Sequence, residues 1–345
     1  MKIAVILPSL LDTAPIKVAK DIVETLISQG CKVDVFYLRE PVELIFNCSV
    51  RRIGIFEKIE FEKYDFIHSH MLRPDFYIWI HRKSIQCVCV STLHNEIGKV
   101  LEDYYGFIRS KIFTPLWVMF LRSHDKVVCL SKVAQNQLER KYRIKRVTYI
   151  YNGRTVPQSF ISKIDKKILK AKAEQFILLG VIANISRIKG ISQIIEVLDD
   201  LEEYCLVIIG SGPELEHLKL LAREKGLEDR CVFFGYKKNA FVFLEYIDVY
   251  MMTSYSEGFP LVLIEAAQYS KPTVCSNLPI FKEFFNKNQV SFFDLDNKAS
   301  LIEAIKDAVD RKNILAENIY SAYVKKYTKD IMGENYYKLF KKLME

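Results

Sequence analysis

Short apolar runs bounded by glycine, proline or polar residues recur along this chain, and between them apolar residues return at helical spacing. "KIAVILP", near the start, is the continuous apolar run that a strand buried on both faces requires. "PIKVAKDIVETLISQG" follows with one apolar face and stops at Gly30, as an amphipathic helix would. "KVDVFYL" alternates and then turns aromatic, and "YDFIHSH", "CVCVST", "KVVCLS" and "RVTYIY" extend the series of strands. Strands that alternate with helices predict a parallel sheet covered on both faces.

"YNGRTVPQSFISKIDKKILKAKAEQ" breaks the pattern. It is polar and lysine-rich, opens on a turn signal at Asn152-Gly153, and reads as a linker near residues 155–172. The alternation then restarts with "FILLGVIAN", "CLVIIGSG", "RCVFFGY", "DVYMMTS", "PTVCSN" and "VSFFDL", with helices between them and three more to the end. The fold class expected is α/β, with a doubly wound Rossmann-like domain over 1–160 and a second over 161–325. A last helix, 326–345, is expected to return to the first domain. A cleft at the carboxyl ends of the strands is the default ligand site of such a pair.

Composition changes this picture little. A chain of 345 residues, half of them hydrophobic, suits two domains with two cores. No segment has the roughly 18 uninterrupted apolar residues of a membrane span, and the first residues read as a strand rather than a secretory signal. The eight cysteines lie singly in apolar runs without a CxxC pair, so buried reduced thiols in a cytoplasmic protein are expected. Charge is more informative. Residues 1–154 hold 24 Lys+Arg against 16 Asp+Glu, a balance of +8, while the remaining 26 and 26 cancel. A basic first half suits anionic lipid or a phosphorylated substrate, and no nucleic-acid-binding module accompanies it.

The candidate chemistry centres on "SEGFPLVLIEA", residues 256–266. Pro260 suits the first turn of a helix, where its missing N–H costs nothing. Leu261 and Val262 then offer unpaired amides at the positive end of that helix, a site suited to phosphate. Gly258 permits close approach of a ligand to the backbone. Glu257 precedes the helix and Glu265 lies in its second turn, so the two acids could hold sugar and ribose hydroxyls on either side of a diphosphate.

This stretch resembles the E-G-[FL]-P-x-x-x-x-E-A signature of the retaining GT-B glycosyltransferases of family 4, also called group 1. "IIGSGPELEHLKLLAREKGLEDRCVFFGY" is similar to the G-x-G-P and F-x-G segments of that family, and "FIHSHMLRPD", "STLHN" and "YNG" resemble its first-domain segments. The likeness spans nearly the whole chain and is most specific from about 205 to 277. It implies a GT-B fold, two Rossmann-like domains facing each other across a cleft, and a nucleotide-diphosphate sugar held mainly by the second. By position, Glu257 would contact the transferred sugar and Glu265 the ribose. The backbone of Gly258, Phe259, Pro260, Leu261 and Val262 would line the diphosphate and sugar. Gly212 would let the chain pass close to the nucleotide, Tyr236 would lie near the base, and His94 would touch the donor sugar from the first domain. His68 and His70 alternate along "FIHSHM" and point one way.

Three departures from the family pattern matter. "ANISRIKG" keeps Lys189-Gly190 for the diphosphate but has Asn184 where the family has arginine, with Arg187 displaced toward the lysine. The glycine pair that opens the first helix of the family is replaced by Ala14-Pro15. "DLD", Asp294 to Asp296, mimics a metal motif of another architecture but sits where turn and cap residues belong. No metal or other cofactor is expected, only a UDP- or GDP-sugar as donor. "GFIRSKIFTPLWVMFLRS" is apolar with basic punctuation and suits either a core or a membrane surface.

The activity expected is a retaining hexosyl or N-acetylhexosaminyl transfer to a saccharide, expected to be lipid-linked at the inner face of a bacterial membrane during surface polysaccharide assembly. A sugar-nucleotide epimerase of the same fold and a non-catalytic partner subunit are the alternatives.

Overall fold

The computed structural model describes residues 1–94 and 97–345, and only the backbone of 99–105 and 107–108. The chain divides into two compact units, Met1–Arg154 with Lys326–Glu345, and Thr155–Lys325.

The first unit holds strands β1 (Lys2–Leu7), β2 (Lys32–Tyr37), β3 (Ser49–Arg52), β4 (Phe66–His70), β5 (Val88–Leu93), β6 (Lys126–Cys129) and β7 (Val147–Tyr149). They form one parallel sheet in the order β3-β2-β1-β4-β5-β6-β7. Around it lie α1 (Ala14–Ser28), α2 (Leu72–His81), α3 (Ile97–Leu121) and α4 (Lys132–Tyr142). The apolar runs become the central strands because both faces are covered: Ile3 to Leu7 are fully buried. Pro15 sits in the first turn of α1, so the helix starts without the glycine pair.

The second unit repeats the pattern. Its strands are β8 (Ile177–Ile182), β9 (Tyr204–Ile209), β10 (Cys231–Gly235), β11 (Val249–Met252), β12 (Thr273–Ser276) and β13 (Ser291–Phe293). They lie parallel in the order β10-β9-β8-β11-β12-β13. The helices are α5 (Lys163–Ala173), α6 (Ser192–Val197), α7 (Leu215–Glu224), α8 (Leu261–Gln268), α9 (Pro279–Phe284), α10 (Lys298–Asp310) and α11 (Lys312–Lys326). A final helix, α12 (Lys329–Met344), belongs to the first unit. It packs on α1 so closely that a Cβ on Gly333 would lie 2.2 Å from the Cβ of Thr25.

Two sequence expectations need correction, and one strand was not foreseen. The stretch 155–172 is not a bare linker: α5 occupies its second half, capped by Ser162, whose hydroxyl accepts from the Asp165 amide at 3.1 Å. Leu169 anchors it in the core, which outweighs the lysines on its outer face. Asn152-Gly153 is not an open turn. Asn152 is buried, and the place of a Gly153 Cβ is taken by the Thr328 carbonyl oxygen, 2.0 Å away. Strand β3 escaped notice because all four of its residues are exposed and carry no apolar alternation.

Candidate functional site

In a doubly wound sheet the chain turns in opposite directions on either side of one strand pair, and a crevice opens beyond the carboxyl ends of that pair. In the second unit the pair is β8 and β11. The loop after β8 carries Asn184 to Gly190, and the loop after β11 carries Thr253 to Pro260.

These two loops are tied together. The Tyr255 amide donates to the Ile188 carbonyl at 2.8 Å. The Thr253 hydroxyl donates to the Lys189 carbonyl at 2.9 Å. Gly190 has φ of +60°, and a Cβ there would lie 2.3 Å from the Thr253 oxygen. A glycine is therefore needed where the loops meet. The result brings Lys189 onto Glu257: Nζ to Oε1 is 2.6 Å, and the Ser254 hydroxyl donates to the same oxygen at 2.7 Å. The Glu257 side chain is 11% exposed and that of Lys189 25%. Water screens such a pair only partly, so its orientation is well fixed.

Behind this pair, α8 begins at Leu261, one residue later than expected, with Pro260 as its N-cap in extended conformation. Leu261 and Val262 therefore contribute the first two amides of the helix, which have no carbonyl partner within it. The Phe259 ring packs on Phe284 at 4.7 Å, so this residue turns its side chain to the core. Gly258 is exposed. Glu265 is half-buried in α8. Both Glu257 and Glu265 reach the buried Tyr250 electrostatically; its phenol is pushed well above its usual range by burial first and by the two carboxylates next. The structure thus gathers Lys189, Ser254, Glu257 and the tip of α8 around the β8–β11 crevice, with Glu265 further along the helix.

Other candidates have surroundings of their own. Arg187 opens a single 3-10 turn, Arg187–Lys189, but lines a neighbouring cavity of about 1030 Å³ with Glu214, His217, Tyr255 and Asp296. Asn184, at the arginine position of the resemblance, is exposed. Gly212 is needed by the protein itself: a Cβ there would lie 2.2 Å from the Ile185 carbonyl oxygen. Tyr236 is 74% exposed just after β10. In the "DLD" segment, Asn297 caps α10 by accepting from the Ser300 amide at 3.0 Å, and Asn277 donates to Asp294 at 2.8 Å. Asp296 adopts a φ of +60° and accepts a short hydrogen bond from the Tyr255 hydroxyl.

In the first unit, His94 follows β5 and is 7% exposed. Its Nε2 lies 2.9 Å from Nδ1 of His70, and the two rings stack at 5.2 Å. The His68 and His70 rings are 4.2 Å apart on the same face of β4. Burial holds His68 and His94 down to about 3 and His70 well below its usual value, so all three are neutral. Beside them a buried Asp75 accepts from Ser69 at 2.6 Å, Ser91 at 2.7 Å and Trp117 at 2.8 Å, which satisfies a carboxylate that would otherwise be costly to bury.

Sequence reasoning missed Ser254, the Tyr255–Asp296 pair and the His70–His94 contact. Ser254 was within reach, because it is the second residue past β11 at the point where the winding reverses.

Comparison with known proteins places the chain in a family and supports its fold. The family model for glycosyl transferases group 1 matches residues 161–326, and that for Glycosyltransferase Family 4 matches 17–156. Between them they leave out only 1–16, 157–160 and 327–345. An O-antigen biosynthesis glycosyltransferase of Escherichia coli, WclY, is 28% identical with 99% of each chain covered. A UDP-Gal:α-D-GlcNAc-diphosphoundecaprenol α-1,3-galactosyltransferase of the same species is 24% identical over 77% of this chain and 72% of its own. Among solved structures, Anabaena HepE in complex with UDP aligns with a TM-score of 0.80 at 16% identity, covering 99% of this chain and 100% of that one. Sucrose-phosphate synthase from Thermosynechococcus elongatus also scores 0.80, at 18% identity with 99% of each chain covered.

Proposed function

This chain belongs to the group 1 glycosyltransferases and has their GT-B fold, and on that premise we propose that it moves a sugar from a nucleoside-diphosphate donor to a hydroxyl of a lipid-linked saccharide, with retention at the anomeric carbon. The observation that carries the proposal is the 2.6 Å contact between Lys189 and Glu257 at the amide tip of α8. It sets a cation suited to a leaving diphosphate against an acid suited to a positively charged sugar.

As the glycosidic bond breaks, charge grows on the diphosphate and an oxocarbenium-like centre forms on the sugar. Lys189 and the amides of Leu261 and Val262 meet the first where it develops. Glu257, held by Ser254, steadies the second, while Glu265 takes the ribose. Lys189 supplies positive charge of its own, so the proposal calls for no metal or organic cofactor. The acceptor attacks from the face the diphosphate leaves, and the departing phosphate takes its proton. A UDP- or GDP-hexose or N-acetylhexosamine is the donor class.

A lipid-linked acceptor, in O-antigen or related surface polysaccharide assembly, is supported by the names of the relatives: an O-antigen chain mannosyltransferase of E. coli, 23% identical over 86% of this chain and 80% of its own, stands beside the two above. A peripheral place at the inner face of the membrane follows. Among the described residues no helix is long and apolar enough to cross a membrane. However, α3 leaves Ile112 61% exposed, with Leu116, Met119 and Phe113 exposed beside the cations Arg109 and Lys111.

Incubation with UDP- and GDP-sugars tests the reading. Release of nucleoside diphosphate is expected only when a lipid-linked saccharide is present, unchanged by chelator, with the product keeping the donor's anomeric configuration. The protein should pellet with anionic vesicles and be released by salt. Donor conversion without acceptor would instead make it an epimerase, and an inverted product would remove the retaining mechanism.

A further inference from the structure

Of the three histidines in β4 and just after β5, His70 and His94 share one hydrogen bond and the His68 ring lies against His70, and the unpaired nitrogens of His68 and His70 decide where the protons lie. His70 Nδ1 meets His94 Nε2 at 2.9 Å, while His70 Nε2 is buried with no partner among the described residues. His70 itself is 0% exposed. A neutral imidazole has one N–H and one lone pair. Were the His70 proton on Nε2, a buried N–H would have no acceptor, which is the more costly and rarer defect. With the proton on Nδ1, His70 donates to His94, and the unpaired nitrogen is only a lone pair.

The same reasoning holds one step further back. His68 Nδ1 is also buried without a partner among the described residues, and its Nε2 lies 2.8 Å from the Thr92 hydroxyl. Its proton therefore belongs on Nε2, donating to Thr92, whose oxygen lies 2.9 Å from the Tyr336 hydroxyl of α12. Tyr336 and Phe340 cover the His68 ring at 5.5 and 5.6 Å, so the row is backed by a packed wall.

We propose that His70 is a positioning residue that holds His94 in the tautomer protonated at Nδ1. Accepting the His70 proton uses the lone pair of His94 Nε2, so the one hydrogen of His94 sits on Nδ1. His94, the only one of the three with any exposure, then presents a donor and no free lone pair. It can hydrogen-bond a sugar hydroxyl oxygen but cannot act as a base. This functional consequence rests on the reading that His94 faces the donor sugar; the tautomer does not.

Side-chain ¹⁵N–¹H correlation spectra of the full chain labelled at histidine test the tautomer directly, with His94→Gln to assign the resonances. The expected result is a protonated Nδ1 and an acceptor-type Nε2 on His94. In His70→Asn, the amide nitrogen of the new side chain can stand in for the ring Nδ1, so that pattern should persist. In His70→Leu it should give way to a tautomer mixture. Turnover should stay within about threefold in His70→Asn and fall about tenfold in His70→Leu, the scale of one lost hydrogen bond, with a smaller change in donor KM. A wild-type His94 protonated at Nε2, or a His70→Leu spectrum unchanged from wild type, would overturn the proposal. The wild-type spectrum alone decides the tautomer if either variant folds poorly. If the tautomer is as stated but His94→Gln leaves turnover intact, the donor-site reading of His94 fails while the assignment of His70 stands.

Discussion

Glu257→Gln is expected to lower turnover roughly 100- to 1000-fold while nucleoside diphosphate binds at least as tightly as before. The substitution keeps the shape of the side chain and removes its charge. In the wild-type site that charge is divided between Lys189, at 2.6 Å, and the Ser254 hydroxyl, at 2.7 Å. Losing it frees Lys189 for phosphate oxygens, which favours the ground-state nucleotide complex. On the proposed mechanism it also removes the group that steadies positive charge on the sugar, a charge that develops only in the transition state. Lys189→Met should show the reverse emphasis, because a charge-assisted bond to phosphate contributes in the bound ground state as well. Its nucleotide affinity should fall by about tenfold or more. Isothermal calorimetry with UDP and GDP, set beside steady-state rates, separates the two. Unchanged turnover in Glu257→Gln would take this residue out of the mechanism.

Gly212→Ala should be among the most destabilising single-methyl changes in the second unit, at about 2–3 kcal/mol. The added carbon would sit 2.2 Å from the Ile185 oxygen and 2.7 Å from its nitrogen. Neither atom can move freely: the Ile185 carbonyl accepts from the Glu214 amide at 3.1 Å, and its own amide donates to Ser211 at 2.8 Å. The chain relieves such a clash by shifting residues 183–186, and these lead directly into the turn that carries Lys189. Activity should therefore fall along with stability. Gly226→Ala is the matched control. Gly226 has φ of +67° but open space around the missing carbon, so only the backbone term of about 1 kcal/mol applies. Urea denaturation followed by circular dichroism distinguishes them, and equal midpoints would refute the clash.

How much of this was legible in the sequence depends on how local each signal is. The central strands announce themselves as apolar runs because parallel strands are covered on both faces, as the fully buried Leu206 to Ile209 of β9 illustrate. The tip of α8 was equally readable, since proline and glycine fix the turn chemistry within a few residues. A deciding contact between distant positions leaves no local mark in the chain. Lys189 and Glu257 are 68 positions apart, and they meet only because β8 and β11 are neighbours in the sheet. Gly212 looked like a place for a ligand to approach, yet the neighbour that demands glycine is the protein's own backbone. Helix α5 was hidden by its lysines, although Ser162 and Asp165 have the spacing of a capped first turn.

The central claim is that the tip of α8 receives the diphosphate between two acids. The structure of a crystal grown with UDP or GDP tests it most directly. Phosphate oxygens are expected within hydrogen-bond distance of the Leu261 and Val262 amides and of Lys189 Nζ, with the ribose on the Glu265 side and Glu257 facing the sugar position. A nucleotide bound instead in the cavity lined by Arg187, Glu214 and His217, with the helix tip bare, would contradict it.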